Sequence, residues 1–336
     1  MRPYHSLLFL TLCLSILACS CSNNLPKKEN PKLSFDHTSA PFQVDEERIK
    51  FAADISYGDH SNNKFDVFLP TSESPTALVI FIHGGGFSNG DKTKAYERYE
   101  SQIREFLSRN IAFATINYRF LSETDKGVIA ALNDSKRCLQ FIKYYAASFN
   151  VDKNRVACFG SSAGAGTSLW LGLNDDMADP NSIDPILRES TRTPAIGAIA
   201  TQATYDILRY EEVFEDYNIS IDRIPAQFLQ RLNPFYGLDD FSEVYDPEIV
   251  SYRAKVDMLK LMDKNDPPIW VKNEQKDVLP MMDLQHHPAH ARLLKHYADS
   301  IGLDSRFYIP GFEIEDPSGE GLIDFFDRIL NDKHTN

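Results

Sequence analysis

Cysteine is scarce in the body of this 336-residue chain. Three of its five cysteines, Cys13, Cys19 and Cys21, belong to the N-terminal leader, so only Cys138 and Cys158 remain for the rest of the sequence. Their placement on a predicted helix and a predicted strand indicates small buried apolar side chains. No disulfide framework is expected, and no spacing suggests zinc. We therefore predict neither a metal site nor a cofactor.

Positive charge is in the minority, with 35 Lys and Arg against 48 Asp and Glu and a formal net charge of −13. No Lys/Arg-rich stripe offsets this negative charge, so we expect no nucleic-acid partner. The acidic residues are spread along the chain, which indicates solubility and selects no substrate. Internal repeats and low-complexity tracts are also lacking.

The apolar run at the N-terminus, Leu7 to Leu17, is too short to cross a bilayer as a helix. With Arg2 before it, the run is typical of a signal peptide. Ile16-Leu17-Ala18-Cys19 then resembles a bacterial lipoprotein lipobox, which implies cleavage before Cys19 and lipidation of that residue. We expect residues 1–18 to be a signal peptide and the protein to be lipid-anchored in the bacterial cell envelope, periplasmic or outer surface. The alternatives are modification of Cys21 and an ordinary secretory signal.

The rest of the chain divides into a polar segment and one long alternating region. Residues 19–44 are polar and dotted with proline, which predicts a tether. Strand and helix patterns alternate from residue 45 to residue 333, as in a mostly parallel sheet with helices on both faces. Ile49 to Tyr57 and Lys64 to Leu69 suit an antiparallel opening hairpin. Residues 205–267 break the rhythm and are too many for a bare loop.

A serine flanked by glycines follows a predicted strand. Gly160-Ser161-Ser162-Ala163-Gly164 comes after the apolar run Arg155 to Phe159 and opens the small apolar run Ala165 to Leu173. A G-x-S-x-G sequence between strand and helix predicts a nucleophile elbow, in which the turn holds the hydroxyl clear of the sheet. The glycines remove side chains that would clash there.

A glycine triplet follows another predicted strand. The apolar run Ala77 to Ile82 ends in His83-Gly84-Gly85-Gly86-Phe87. Such glycines free backbone N–H groups to face the oxyanion that develops during acyl transfer. The alternative for both motifs is a pair of tight turns without chemistry.

With both motifs in this order, the chain resembles an α/β-hydrolase of the esterase/lipase group that carries an HGGG-type oxyanion motif. The resemblance covers about residues 45–333 and implies an α/β fold. It also implies carboxylic ester hydrolysis through an acyl-enzyme on Ser162. The implied oxyanion hole consists of the N–H groups of Gly84, Gly85 and Ala163. In this family an insert such as residues 205–267 commonly forms a cap, although a helical flank remote from substrate is equally compatible.

The family also implies an acid after the strand Pro268 to Lys272. Asp277, followed by Val278, resembles the family's turn in which an Asp precedes a small apolar residue. Asp277 is therefore the predicted acid and Asp283 the second choice. Asp277 could instead only cap a turn.

A histidine is missing where the family carries its general base. That position lies just beyond Pro310-Gly311, but Phe312 to Asp316 contains no histidine, and His334 lies in the polar C-terminal tail. A serine without a base near neutral pH is a poor nucleophile. The absence of this histidine suggests an alternative function, in which a catalytically weakened fold binds a ligand at the cell surface.

A substitute for the missing histidine is offered by His286-His287-Pro288-Ala289-His290, at the start of the predicted helix Ala289 to Ile301. Neighbouring strand ends converge on one crevice, so a histidine from this loop could reach Ser162. We prefer His286 slightly over His287, although the sequence barely separates them. Two other interpretations stay open. The histidines could be surface or capping residues, or His286 and His290 could bind a metal with an acid such as Asp283.

The leading hypothesis is thus a serine hydrolase that acts on a small-molecule or glycan-linked ester. A peptidase or amidase is a further alternative, because fold and triad alone do not separate ester from amide cleavage. The natural ester and the oligomeric state stay open.

Overall fold

A nine-stranded sheet organises the part of the chain that the computed structural model describes, residues 30–276 and 283–331. The strands are β1 Ile49–Ser56, β2 Lys64–Pro70, β3 Thr76–Ile82, β4 Ile111–Ile116, β5 Val151–Ser161, β6 Ile196–Ile199, β7 Ile269–Lys272, β8 Ser305–Ile309 and β9 Ile314–Glu315. Their order in the sheet is β1-β2-β4-β3-β5-β6-β7-β8-β9. The β1–β2, β2–β4 and β8–β9 pairs are antiparallel, and the other pairs are parallel. The predicted opening hairpin and mostly parallel sheet are confirmed.

Helices connect the strands. The α-helices in the described residues are α1 Lys94–Arg98, α2 Glu100–Ser108, α3 Val128–Tyr144, α4 Ala163–Leu173, α5 Tyr210–Val213, α6 Ala226–Gln230, α7 Asn233–Tyr236, α8 Pro247–Lys255, α9 Met258–Leu261, α10 Ala289–Ile301 and α11 Leu322–Asn331. The sequence pattern from Tyr96 to Ser108 is that of one helix, but the structure divides this stretch between α1 and α2. The segment that breaks the alternation, residues 205–267, consists of five short helices, α5 to α9, joined by turns.

The sheet is covered on both faces, as its continuous apolar strands predict. All seven residues of β3 are buried. Alternate side chains belong to two separate apolar clusters, with Leu78 and Ile80 in one and Val79 and Phe81 in the other. Helices α3, α4 and α10 pack into the first cluster, and α2 and α11 into the second. The helices on both faces leave the carboxyl ends of the parallel strands open for a site.

The tether predicted over residues 19–44 is wrong for its second half. Phe35 stacks on Phe149 with ring centroids 5.0 Å apart, and Phe42 stacks on Phe68 at 5.2 Å. The prolines and polar residues of this segment suggested a solvated linker, but its spaced aromatic side chains cover apolar surface at the edge of the domain.

The predicted signal peptide, residues 1–18, and the predicted lipidation site Cys19 lie outside the described residues. From Pro31 onward the described residues belong to one compact unit. None of the helices in this described part has the length and apolar character needed to span a membrane.

The crossing of α4 over β3 depends on Gly164. A Cβ atom at this position would lie 2.0 Å from the carbonyl oxygen of Ile82 and 2.7 Å from that of His83. We expect Gly164→Ala to lower the free energy of unfolding by roughly 1–3 kcal/mol, because backbone atoms have to move. Urea denaturation measures this change.

The matched control is Gly321→Ala, where the added Cβ would meet only Asp324 Oδ2, at 3.7 Å. It should change the free energy of unfolding by no more than about 0.5 kcal/mol. Equal losses in the two variants would contradict the close-approach explanation.

Candidate active site

Ser162 lies on the sharp turn between β5 and α4. Its backbone has φ 54° and ψ −119°, a conformation that non-glycine residues rarely adopt. Gly160 makes the turn possible, since a Cβ there would lie 2.2 Å from the carbonyl oxygen of Gly164. The Ser162 N–H donates to the carbonyl of Ile199 at 2.9 Å, which ties the turn to the end of β6. Surrounding contacts therefore hold the strained turn in place.

His286 meets Ser162 from the loop between β7 and α10. Its Nε2 lies 2.9 Å from Ser162 Oγ, within hydrogen-bond distance. On the other side of the ring, Nδ1 lies 3.3 Å from Asp283 Oδ1. A carboxylate at Nδ1 favours the neutral tautomer that carries its proton there, which leaves the Nε2 lone pair facing the serine hydroxyl. The Ser162 hydroxyl, the His286 imidazole and the Asp283 carboxylate are thus linked by two successive contacts, of 2.9 Å and 3.3 Å.

Asp283 contacts His286 twice, because its Oδ1 also accepts the His286 backbone N–H at 3.0 Å. Acid and histidine are therefore three residues apart on one loop. Asp277, the acid favoured by the sequence, lies outside the described residues. In the sequence, the signal for Asp283 is its spacing from the histidine, Asp-x-x-His.

His287, the other histidine considered for the base, has a different environment. Its side chain is buried, and its Nδ1 accepts the backbone N–H of Ala289 at 3.1 Å, at the start of α10. Its ring packs edge-on against Phe214 and Tyr217, at 5.5 and 5.1 Å. Of the two neighbours, the structure brings His286 to Ser162 and packs His287 among aromatic rings.

The backbone that carries His286 is held by three buried side chains, an arrangement that sequence reasoning missed. Three consecutive carbonyls, those of residues 284–286, each accept a side-chain hydrogen bond. The pairs are His290 Nε2 to Leu284 at 2.8 Å, Gln202 Nε2 to Gln285 at 2.8 Å and Asn273 Nδ2 to His286 at 3.0 Å. The donors come from α10, the segment after β6 and the end of β7, so three elements fix one short piece of chain. We call this arrangement the carbonyl cradle. It places the imidazole without a further loss of loop entropy when a substrate binds.

Both ring nitrogens of His290 are used by the protein. While Nε2 donates to Leu284, Nδ1 accepts the backbone N–H of Ala203 at 3.2 Å. Only a neutral ring can do both, and burial lowers the pKa of His290 to about 4. Throughout the described residues, no group of three or more His, Cys, Asp and Glu side chains is arranged to hold a metal ion.

The glycine triplet brings the loop after β3 against the elbow. A Cβ at Gly84 would lie 2.7 Å from the Ser161 carbonyl oxygen and 3.0 Å from Ser162 Cβ. Gly85 and Gly86 have φ of 129° and 60°, conformations that side chains disfavour. Close backbone approach to a nucleophile is the arrangement that an oxyanion hole requires. Across the site, Ala163 is the first residue of α4, and such N–H groups lack a partner within their own helix.

His83 belongs to the structure of this loop. Its Nδ1 lies 2.8 Å from the Gly84 carbonyl oxygen, and its ring stacks on Tyr118 at 4.5 Å between centroids. The side chain is fully buried, and this burial lowers the pKa of His83 to about 4. The imidazole thus stays neutral above that pH and supports the turn.

An aromatic cavity opens beside Ser162 and Ala163. Phe87 lines it together with side chains of the insert predicted over residues 205–267. The lining side chains from the insert are Tyr205, Ile207, Tyr210, Phe228, Leu232, Phe235 and Tyr236. The insert therefore borders the nucleophile, and its aromatic surface suits an apolar group bound next to the hydroxyl.

Sequence comparisons relate part of this chain to known esterases. A family model described as BD-FAE matches residues 65–220. Gut esterase 1 of Caenorhabditis elegans is 27% identical over 143 residues, which are 40% of this chain and 25% of that protein. A probable isoprenylcysteine alpha-carbonyl methylesterase of Arabidopsis thaliana is 31% identical over 113 residues, 33% of this chain and 22% of that protein. The chain thus spans about a quarter of the length of these curated relatives.

Structural similarity extends over most of the chain. A truncated carbohydrate esterase from gut microbiota matches with a TM-score of 0.65 at 16% identity, covering 86% of this chain and 99% of that one. An inhibited esterase B from Lactobacillus rhamnosis gives a TM-score of 0.55 at 15% identity, covering 85% and 87%. The chain has the α/β-hydrolase fold. The fold class predicted from the sequence is confirmed.

The sequence comparison covers only part of the candidate site. The BD-FAE match contains the glycine triplet and Ser162 but ends before Asp283 and His286. The placement of the imidazole and its carboxylate therefore rests on the geometry described above, and it differs from the position after β8 that the sequence resemblance implied.

Burial of His290 predicts a pH dependence of stability. Its pKa is about 4 in the folded protein and has its ordinary value of 6.5 in the unfolded chain. Between these pH values the His290 ring is protonated in the unfolded chain and neutral in the native protein. The free energy of unfolding therefore falls as the pH drops from 6.5 to 4. Glutamine can donate and accept at the same position without titrating. We expect His290→Gln to make this fall shallower by an amount on the order of 2–3 kcal/mol, as measured by urea denaturation at stepped pH.

His83 contributes a fall of the same sign, which the variant leaves in place. The control is His296→Gln, at an exposed position of the same helix, which should keep the wild-type profile. An unchanged profile in His290→Gln would contradict the role assigned to this ring.

Proposed function

We propose that this chain is a serine hydrolase that cleaves carboxylic esters through an acyl-enzyme on Ser162. The observation that carries the proposal is the 2.9 Å contact between Ser162 Oγ and His286 Nε2 at a strained strand-to-helix turn. Similarity to proteins named as esterases, in sequence over part of the chain and in fold over most of it, supports the same activity.

In the acylation step, His286 Nε2 takes the proton of the Ser162 hydroxyl while Oγ attacks the ester carbonyl carbon. The carbonyl oxygen becomes an oxyanion, which accepts hydrogen bonds from the N–H groups of Gly84, Gly85 and Ala163. The imidazolium then gives its proton to the leaving oxygen as the ester C–O bond breaks. The alcohol departs, and the acyl group remains on Ser162.

Deacylation repeats the sequence with water. His286 takes a proton from the water as its oxygen attacks the acyl carbon, and the imidazolium returns the proton to Ser162 Oγ. The carboxylic acid leaves, and the enzyme is restored without a net change in protons on the protein.

We assign the acid of this triad to Asp283, although the sequence favoured Asp277. The Asp283 carboxylate lies 3.3 Å from His286 Nδ1 and also binds the backbone of the same residue. It can hold the tautomer needed for proton abstraction and stabilise the imidazolium that forms. The carbonyl cradle keeps both groups on one fixed piece of chain.

The substrate is proposed to be a small-molecule or glycan-linked ester. Solved structures with similar folds include proteins titled carbohydrate esterase and acetyl ester-xyloside bifunctional hydrolase, which supports this class. A weakened, ligand-binding fold was suggested by the missing histidine after Gly311. The imidazole of His286 supplies the base from another loop and so favours an active enzyme over that alternative.

Substitutions in the triad should abolish ester hydrolysis with little loss of fold. With p-nitrophenyl acetate, Ser162→Ala and His286→Gln should each lower kcat at least about 1000-fold. Asp283→Asn should lower it at least about 100-fold, because the ring loses the group that fixes its tautomer. Initial rates for the domain starting near residue 31 provide the measurement.

Asp277→Asn and His287→Gln are the matched controls, and each should retain kcat within about tenfold of wild type. A larger loss in Asp277→Asn than in Asp283→Asn would reverse the assignment of the acid. Wild-type turnover by Ser162→Ala would remove the basis of the proposed activity.

We also propose that the chain is anchored by a lipid on Cys19, in keeping with the lipobox-like sequence that precedes it. In a bacterial host, the full chain should incorporate labelled palmitate, and Cys19→Ala should lose the label. Cys21→Ala, the matched control, should keep it. Loss of label in Cys21→Ala with retention in Cys19→Ala would contradict this assignment.

A further inference from the structure

A second cleft reaches Ser162 beside the aromatic cavity. It is bordered by the glycine triplet Gly84–Gly86 and by the imidazole of His286. The side chains of Lys94 and Arg98, the first and last residues of α1, complete one side of it. A positively charged helix face therefore shares a cleft with the reacting hydroxyl.

The charge of this cleft is opposite to that of the protein. In a chain of formal net charge −13, the described residues that line the cleft include two basic side chains and no acidic one. Four residues apart on a helix, Lys94 and Arg98 lie on the same face. Neither makes an ion pair with any residue that the structure describes, whereas nearby Lys92 is bound by Asp54 and Asp66.

The charge of Lys94 is also felt at the glycine triplet. Burial is the main cause that lowers the pKa of His83 to about 4; the positive charge of Lys94 acts in the same direction, and the negative charge of Asp91 acts against it. The ammonium group therefore lies within electrostatic reach of the loop that faces Ser162, where an anion bound to it would be close to the ester.

The position of His286 decides which half of the ester enters this cleft. In the proposed mechanism, the leaving oxygen takes its proton from His286, so the alcohol half has to lie beside that ring. His286 lines the basic cleft. Among the described residues, those that line the aromatic cavity include Ser162 and Ala163 but not His286. The aromatic cavity then suits the acyl half.

We propose that the alcohol half of the natural ester bears a carboxylate, which Lys94 and Arg98 bind. This inference rests on the proposed esterase function and adds a substrate class to it. Lys94 and Arg98, which form no ion pair within residues 30–276 and 283–331, attract an anionic substrate and orient its leaving oxygen toward His286.

The experiment compares two acetyl esters that differ in charge, 4-acetoxybenzoate and 4-acetoxybenzamide. Their kcat/KM values are normalised to their rates of alkaline hydrolysis. Wild type should prefer the benzoate about tenfold, and about 0.5 M sodium chloride should reduce the preference by screening. The Lys94→Gln/Arg98→Gln double variant should bring the normalised ratio close to one, and Arg98→Glu should favour the benzamide.

The matched control is Arg104→Gln/Lys295→Gln, which removes two cations paired with Glu100 and Asp299 away from the cleft. It should keep the wild-type ratio. A wild-type ratio near one, with turnover that Ser162→Ala abolishes, would overturn the carboxylate inference and leave the esterase standing. Turnover that survives Ser162→Ala, or no turnover of either ester, would overturn the proposed function and this inference with it.

Discussion

The hydrogen bond between Ser162 and His286 is the contact on which the site depends, and two strand ends have to meet for it to form. The elbow is tied to β6 through the Ile199 carbonyl, and β6 pairs in parallel with β7, from which the histidine loop departs. Sheet register thus sets the distance between hydroxyl and imidazole. The strain at Ser162 and the close glycine contacts are tolerated because the buried sheet fixes both ends.

Local pattern was sufficient to predict most of the fold. The run Ala77 to Ile82 is buried on both faces as β3, and its uninterrupted apolar character is what a central parallel strand requires. The nucleophile elbow was equally predictable, since the glycines that make its turn possible lie within the five residues Gly160 to Gly164. The packing of residues 31–44 was not, because it depends on a tertiary fit of Phe35 and Phe42 to distant aromatic rings.

From the sequence, the candidates for the proposed base could be reduced to His286 and His287, with only a slight preference for His286. Which of His286 and His287 faces the serine is decided by how the loop backbone is held, and one of the groups that hold it is far away in sequence. Gln202 lies more than eighty residues before the carbonyl that it binds. Amide side chains of this kind carry no motif, so pattern analysis passes over them. Asp283 was visible as a spacing, but it competed with a familiar turn around Asp277.

Placing Asp283 and His286 on one loop has an evolutionary consequence. In the proposed triad, acid and base lie within four residues of one another, so a single exchange of this loop would transfer or delete both. The tip of β8, where Pro310–Phe312 forms a short 3-10 turn, then has no part in the proposed proton transfer. A search that requires a histidine at that position would therefore overlook chains with the arrangement proposed for this protein.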